Sequence, residues 1–179
     1  MERAGARTAK ARPAVFFDRD GVLNVDKGYT YRREDFAWMP GAMEAVRHFN
    51  EQGYYVFVVT NQSGVARGYY REEDVQTLHR WMNEELAARG AHIDGFYYCP
   101  HHPDKGEAPY RQACQCRKPE PGLIRRAMEE WNVDKARSLL IGDKASDIQA
   151  AQAAGIAGHL FDGADLYGFV REIADEAEK

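Results

Sequence analysis

The sequence predicts an α/β fold in which a parallel sheet carries helices on both faces. Three observations predict it. Short runs of apolar, β-branched and aromatic residues alternate with segments whose apolar residues recur at helical spacing. Three of those runs stop abruptly in polar clusters, Asp18–Asp20, Thr60–Ser63 and Asp143. In an open parallel sheet, ligands sit beyond the carboxyl ends of the strands, where such clusters would meet. The length, 179 residues with 44% hydrophobic, suits one domain with its own core. We place that domain at residues 13–179, after a basic tail at 1–12 that is expected to be disordered.

Ala14 to Phe17 is the first strand, short and closed by Asp18-Arg19-Asp20-Gly21. Residues 21–40 show no helical period and read as a structured flap. Pro40-Gly41 opens a helix with Met43, Val46 and Phe49 on one face, and Gly53 is placed to stop it. Tyr55–Val59 is the second strand. Glu72 to Gly90 is the longest helical pattern, with Val75, Leu78, Met82 and Leu86 on one face. Ile93–Tyr98 follows as the third strand. Residues 99–120 hold all three cysteines and four of the seven prolines without periodicity. Ile124, Ala127, Met128 and Trp131 mark a helix, and Ser138–Ile141 is the fourth strand. Ala145–Ala154 is an Ala-rich helix stopped by Gly155, Ile156–Phe161 the fifth strand, and Leu166–Ala177 a closing helix. Right-handed crossovers would join these into a Rossmann-like sheet. No insertion is long enough for a large cap domain, so the site reads as capless and open.

Composition narrows the function classes. Lys and Arg number 24 against 28 Asp and Glu, a formal charge of −4, which argues against nucleic-acid or anionic-membrane partners. Three cysteines, an odd number, argue against a disulfide framework and for a reducing, cytoplasmic setting. No apolar run approaches the ~18 residues of a membrane span, and Met1–Arg12 lacks the apolar stretch of a secretory signal. No hydrophobic stripe is left over once the core is assigned, so a monomer is expected.

Asp18 and Asp20, two apart as a strand ends, can face a single site, and Gly21 lets backbone approach a ligand closely. Asp143 adds a third carboxylate from another strand. Such a convergence repels itself unless a hard cation such as Mg²⁺ relieves it. Thr60, Asn61 and Ser63 supply donors and Lys118 a cation. The set suits a phosphoryl group, whose oxygens need neutralising while a carboxylate attacks. Asp-x-Asp alone equally describes a solvated turn; the convergence favours a site. Asp147 stays open between a further metal-shell residue, a helix cap and a partner of Lys144.

Cys99-x-His101 and Cys114-x-Cys116, twelve residues apart, match the ligand set of a Cys₃His structural zinc site. The intervening loop carries Pro103, Gly106 and Pro109 and little apolar surface, so a metal staple gives it a reason to be ordered. His102 is the alternative to His101. Four ligands leave no open position, so the zinc would be structural, and it would position Arg117 and Lys118, which follow directly.

The residues also carry a family resemblance. Asp18-Arg19-Asp20-Gly21-Val22-Leu23-Asn24, Val58-Val59-Thr60-Asn61-Gln62, Arg117-Lys118-Pro119 and Gly142-Asp143-Lys144-Ala145-Ser146-Asp147 resemble, in order, the four motifs of the haloacid-dehalogenase-like phosphatases. The resemblance covers about residues 13–162. It implies Asp18 as nucleophile forming an aspartyl-phosphate, and Asp20 as acid and then base. It implies Thr60 and Lys118 on the phosphoryl group, and Mg²⁺ held by Asp18, the Asp20 backbone carbonyl and Asp143. Cys-Pro-His-His-Pro and Cys-x-Cys-Arg-Lys-Pro narrow it: they resemble a group within that family that removes the carbon-7 phosphate of a heptose 1,7-bisphosphate, in ADP- or GDP-heptose biosynthesis. That implies substrate contacts from Arg19, Asp26, Lys27, Gly28, Tyr29, Asn61, Gln62, Ser63, Arg117 and Lys144, with Arg117 on the distal phosphate. Histidinol-phosphate phosphatases share the motifs with a typically shorter zinc loop. A phosphotransferase and a non-catalytic zinc-stapled binding module are the more distant alternatives.

Overall fold

The apolar runs pair into one parallel sheet of five strands: β1 (Ala14–Phe17), β2 (Tyr55–Asn61), β3 (Gly95–Cys99), β4 (Leu139–Gly142) and β5 (Ala157–Leu160), in the order β3-β2-β1-β4-β5. The computed structural model describes residues 10–177. Five helices connect or close the strands: α1 (Ala42–Glu51), α2 (Glu72–Ala87), α3 (Gly122–Glu130), α4 (Ala145–Ala154) and α5 (Leu166–Ala177).

Alternate strand residues face opposite sides, and helices cover both. Val15, Phe17, Val56, Val58 and Ile141 pack in one cluster with Val46 and Phe49 of α1, Met82 and Leu86 of α2, and Leu166 and Val170 of α5. Ala14, Phe16, Phe57, Val59 and Leu140 pack in another with Leu123, Ile124 and Ala127 of α3 and Ala150, Ala151 and Ala154 of α4. Burial on both faces explains why the central strands are apolar throughout rather than alternating. Each such Leu, Val or Phe contributes roughly 1.5–3 kcal/mol by leaving water.

Several boundaries differ from expectation, and three of the differences have a local cause. β2 runs past Val59 because Thr60 and Asn61 keep pairing with Tyr98 and Cys99 of β3. β3 starts at Gly95 rather than Ile93, because side chains take over that backbone: Ile93 N–H donates to Asn83 Oδ1 (2.8 Å) and Asn83 Nδ2 to the Ile93 carbonyl (2.9 Å). The tail is also shorter than expected. Residues 1–9 lie outside the described residues, but Arg12 is part of the fold. It bridges to Val133, donates Nε to the Gly53 carbonyl (2.9 Å) and lies 4.1 Å over the Tyr55 ring.

The chain order reverses about β1, which has β2 on one side and β4 on the other. That switch point is where a parallel sheet opens a crevice at its carboxyl edge. Beyond β1 the chain coils tightly: the Arg19 carbonyl accepts from the N–H groups of Val22, Leu23 and Asn24. The residues up to Pro40 then form a flap containing one 3₁₀ turn, Arg33–Asp35.

Candidate active site

Asp18 extends β1 by one residue, its N–H donating to the Ile141 carbonyl of β4 at 3.0 Å. Asp143 stands just past β4. Lys118 reaches in from the segment before α3 and is almost completely buried. Its Nζ donates to Asp18 Oδ1 (2.9 Å) and the Val59 carbonyl (3.0 Å), and pairs with Asp147 Oδ1 at 2.6 Å. Burial opposes the charge on Lys118, but Asp18 and Asp147 outweigh it and raise its pKa. Asp147 Oδ2 accepts from the N–H groups of Asp143 and Lys144 at 3.1 Å each. Asp147 therefore caps α4 and pairs with Lys118, while its carboxylate also lies among those of Asp18 and Asp143.

Burial, together with the nearby carboxylates of Asp147 and Asp143, pushes Asp18 up to about 8 despite Lys118. Asp143 is also raised, chiefly by burial, and its buried Oδ1 has no hydrogen-bond partner. Oxygens of Asp18, Asp143 and Asp147 lie within 4.8 Å of one another. Gly21 makes room for this: at φ +90°, a Cβ there would fall 2.1 Å from Asp143 Oδ2. Excess buried negative charge, an orphaned carboxylate oxygen and an all-oxygen donor set fit a hard divalent cation.

The Asp20 side chain stands apart from that cluster. Arg19 Nη2 donates to Oδ1 (3.1 Å) and Oδ2 (3.2 Å), Asn24 Nδ2 to Oδ1 (3.0 Å), and Gln62 Nε2 to Oδ2 (3.1 Å). Gln62 Nε2 also reaches Thr60 Oγ1 at 2.9 Å, and Gln62 Oε1 accepts from the Tyr70 hydroxyl at 2.6 Å. Burial pushes that phenol up to about 12, so it stays a donor. Thr60 and Asp20 thus share one bridging amide.

Three residues expected to contact substrate have their side chains engaged inside the protein. Arg19 has no exposed surface: it is consumed by Asp20, by His79 Nε2 (3.2 Å) and by the Thr30 carbonyl (2.7 Å). Gln62 is 2% exposed and its amide is fully engaged inside the protein. Asn61 faces inward too, its Oδ1 accepting from Lys118 N–H (3.0 Å) and its Nδ2 donating to the Lys118 carbonyl (3.2 Å). Asp26, Lys27, Gly28 and Tyr29 are exposed on the flap, Ser63 and Arg117 are partly exposed, and Lys144 is exposed at the start of α4.

Four soft donors gather beside the site. Sγ of Cys99 lies 3.5 Å from Cys114 Sγ, 2.9 Å from Cys116 Sγ and 3.6 Å from His101 Nδ1, and Cys114 and Cys116 are 3.5 Å apart. No disulfide joins them. The close contact between the two sulfurs pulls the Cys116 thiol down to about 5 and, with burial, pushes Cys99 up. His102 is not in the cluster; its Nδ1 accepts from the N–H groups of Asp104 (3.0 Å) and Lys105 (3.1 Å) and so shapes the loop.

Sequence reasoning passed over Asn24, Tyr70 and His79, and gave Arg67 no separate role. Arg67 has a buried, unpartnered Nε and lies 5.7 Å over the ring of Tyr29. Burial, then the charges of Arg117 and Arg67, hold His102 below its ordinary pKa. Tyr29 meets Tyr69 edge-on at 4.8 Å, and both are large and exposed. Exposed aromatics next to an arginine would have been the one available sequence signal.

Comparison with known proteins extends this picture. A family model described as "HAD-hyrolase-like" matches residues 115–163. The chain is 51% identical over 172 residues to a D-glycero-beta-D-manno-heptose-1,7-bisphosphate 7-phosphatase of Rhodopseudomonas palustris, covering 96% of each. It is 46% identical over 148 residues to the Escherichia coli K12 protein of that name, covering 83% of this chain and 78% of the relative. The crystal structure of D,D-heptose 1,7-bisphosphate phosphatase from B. bronchiseptica, complexed with magnesium and phosphate, superposes with a TM-score of 0.80 at 29% identity, over 92% of this chain and 99% of that one.

Proposed function

Because the chain belongs to the HAD-like family whose curated relatives are D-glycero-beta-D-manno-heptose-1,7-bisphosphate 7-phosphatases, we propose that it hydrolyses the carbon-7 phosphate of that bisphosphate and leaves the phosphate on carbon 1. One observation carries the chemistry: Lys118 Nζ stands 2.9 Å from Asp18 Oδ1, with Asp143 in the same carboxylate cluster at the carboxyl edge of the sheet. The beta anomer is favoured by the relatives' names.

In this reading an Asp18 carboxylate oxygen attacks phosphorus. The bond from phosphorus to the carbon-7 oxygen breaks, its electron pair stays on that oxygen, and Asp20 supplies the proton. Asp18 then carries the phosphoryl group as an acyl phosphate. Asp20, now ionised, takes a proton from water; the water oxygen bonds to phosphorus, the bond to Asp18 breaks, and inorganic phosphate leaves. Thr60 and Lys118 hold the phosphoryl oxygens through both steps. Asp18, the Asp20 backbone carbonyl and Asp143 would hold Mg²⁺, which when bound offsets the repulsion between an anionic nucleophile and an anionic phosphate.

Arg117 is assigned to the carbon-1 phosphate, because a guanidinium suits bidentate phosphate recognition. Asp26–Tyr29, Ser63 and Lys144 line the open approach. Cys99, His101, Cys114 and Cys116 would hold a structural Zn²⁺: three sulfurs and one imidazole nitrogen match its preferred set, and four protein ligands close it. No helix among the described residues is long and apolar enough to cross a membrane. A monomer is favoured by the short run of large exposed hydrophobics, Val25, Tyr29, Tyr69 and Leu160, and sedimentation analysis checks it.

The test is phosphate release, without an acceptor sugar, from the beta and alpha heptose 1,7-bisphosphates and from histidinol phosphate. Preference for the beta bisphosphate is expected; preference for histidinol phosphate overturns the substrate. Asp18→Asn should abolish release with the fold intact, and normal turnover by that variant overturns the nucleophile.

A further inference from the structure

Arg19 is the largest side chain without exposed surface in the described protein. A buried guanidinium is costly unless every donor finds a partner. Here the partners are unequal. Thr30 offers a backbone carbonyl at 2.7 Å, fixed by the flap. Asp20 takes Nη2 and, at 3.4 Å, Nε. The remaining arm, Nη1, meets His79 Nε2 at 3.2 Å. An arginine only donates, so His79 Nε2 accepts and the imidazole is neutral, its proton on Nδ1. Burial and the Arg19 charge both lower the His79 pKa, in keeping with that tautomer.

His79 is itself firmly seated. It lies on the buried face of α2 with Val75, Leu78 and Met82. Its ring stacks on Phe96 of β3 at 4.5 Å and 14°, with Tyr98 edge-on at 6.1 Å. A polar ring held so rigidly in an apolar layer, with its accepting nitrogen aimed at a buried cation, does more than fill space.

We propose that His79 is a positioning residue for Asp20, acting through Arg19. The stacked imidazole anchors one arm of the guanidinium; the other arm then holds the Asp20 carboxylate in a single rotamer. Neighbours at i and i+1 ordinarily point apart. Arg19 nevertheless folds back onto Asp20, and His79 holds its other arm. Asn24 and Gln62 hold the other edges of the same carboxylate. The proposal rests on the reading of Asp20 as the group that gives and takes the proton. Such a group works only when it is held within hydrogen-bond reach of the reacting oxygen, and a displacement of about 1 Å can cost about 10²-fold in rate.

The test compares His79→Leu, which removes the acceptor, with His79→Gln, which keeps an acceptor oxygen near the Nε2 position. Turnover of heptose 1,7-bisphosphate is normalised to the folded fraction measured by circular dichroism, and Asp20→Asn serves as control. His79→Leu should lower kcat about 10- to 100-fold with KM moved less than about threefold, and His79→Gln should recover most of it. If Asp20→Asn is inactive while His79→Leu keeps kcat within about twofold, the positioning role is wrong and the reading of Asp20 stands. Equal losses in the Leu and Gln variants, or losses tracking KM, also overturn it. If Asp20→Asn turns over normally, the reading of Asp20 itself fails, and this inference with it. Should His79→Leu not fold, Arg19→Lys, which keeps the charge but loses the fork, must show the same kcat-only loss.

Discussion

Replacing Lys118 by methionine keeps the stem and deletes three donors. In the native protein Nζ serves Asp18 Oδ1, the Val59 carbonyl and Asp147 Oδ1 at 2.9, 3.0 and 2.6 Å. All three acceptors are inside the protein, and the variant leaves them facing a thioether. Removing one partner of a buried ion pair costs about 3–5 kcal/mol. The lower end applies, for two reasons. Asp18 titrates only at about 8 and can shed its charge by protonation, and Asp147 keeps two backbone donors on its other oxygen. At about 2–4 °C per kcal/mol for a chain of this size, ~3 kcal/mol lowers Tm by roughly 6–12 °C. Loss of a donor to the transferring phosphoryl group should separately reduce kcat about 10²- to 10³-fold. Calorimetry at pH 7 and phosphate release measure the two effects. Adding Asp147→Asn should restore part of Tm and none of kcat. A Tm drop below about 2 °C, or kcat within about threefold of wild type, refutes the reasoning.

Three further outcomes follow from the geometry. In chelated protein, the raised Asp18 pKa means that the native state holds a proton the unfolded chain has released. That contribution is full below the ordinary value of 3.8 and is lost as pH rises toward about 8; the Tm advantage of Asp18→Asn should grow over that window in EDTA and shrink when Mg²⁺ is added. Cys114→Ser should remove zinc from purified protein, read by elemental analysis, and lower both Tm and activity; full zinc occupancy in the variant refutes the ligand set. Arg117→Gln should raise KM for heptose 1,7-bisphosphate at least about tenfold and leave kcat/KM for heptose 7-phosphate nearly unchanged; equal losses on both refute its assignment to the distal phosphate.

The elements most legible in the sequence are those whose boundaries depend on local chemistry. β1 ends where apolar residues meet Asp18, and α4 ends at Gly155, whose φ of +81° only glycine takes without strain. Asp18, Thr60 and Asp143 were legible because parallel strands bring their carboxyl ends to one edge, and Lys118, in the loop before α3, through the Arg117-Lys118-Pro119 motif. The partners of Asp20 were not. Arg19 reads as a substrate contact until its guanidinium is seen to turn inward, onto the Thr30 carbonyl of the flap and onto His79 of α2, the latter 60 residues away in sequence. His79 looks like one more polar residue on a helix until Phe96 is seen to stack on it. Adjacent His101 and His102 are equivalent by spacing; only the Asp104 and Lys105 amides, which occupy His102 Nδ1, separate them.

The thiol cluster and the phosphoryl site are linked through paired backbone and through the Asn61 side chain. β2 and β3 pair up to Asn61 and Cys99, so one strand end carries a phosphoryl-site residue and the other a soft ligand. The Gln62 N–H donates to the Cys99 carbonyl at 2.7 Å, which places the amide that bridges Thr60 and Asp20. Asn61 clasps the backbone of Lys118 on both sides, and Lys118 follows Cys116 by two residues. Across the loop, Gly106 packs so close to the turn at Ala66 that a Cβ would fall 1.8 Å from its carbonyl oxygen. The 102–113 segment is held at Tyr110, which packs against Val65, Tyr70 and Val75 and donates its hydroxyl to Glu72 Oε2 at 2.7 Å, and the four donors stand at its base. A metal there would act at a distance of one or two peptides, on the position of Lys118 and on the Gln62 amide. Its removal should therefore lower kcat through loss of alignment while Asp18 and Asp143 keep their own strands.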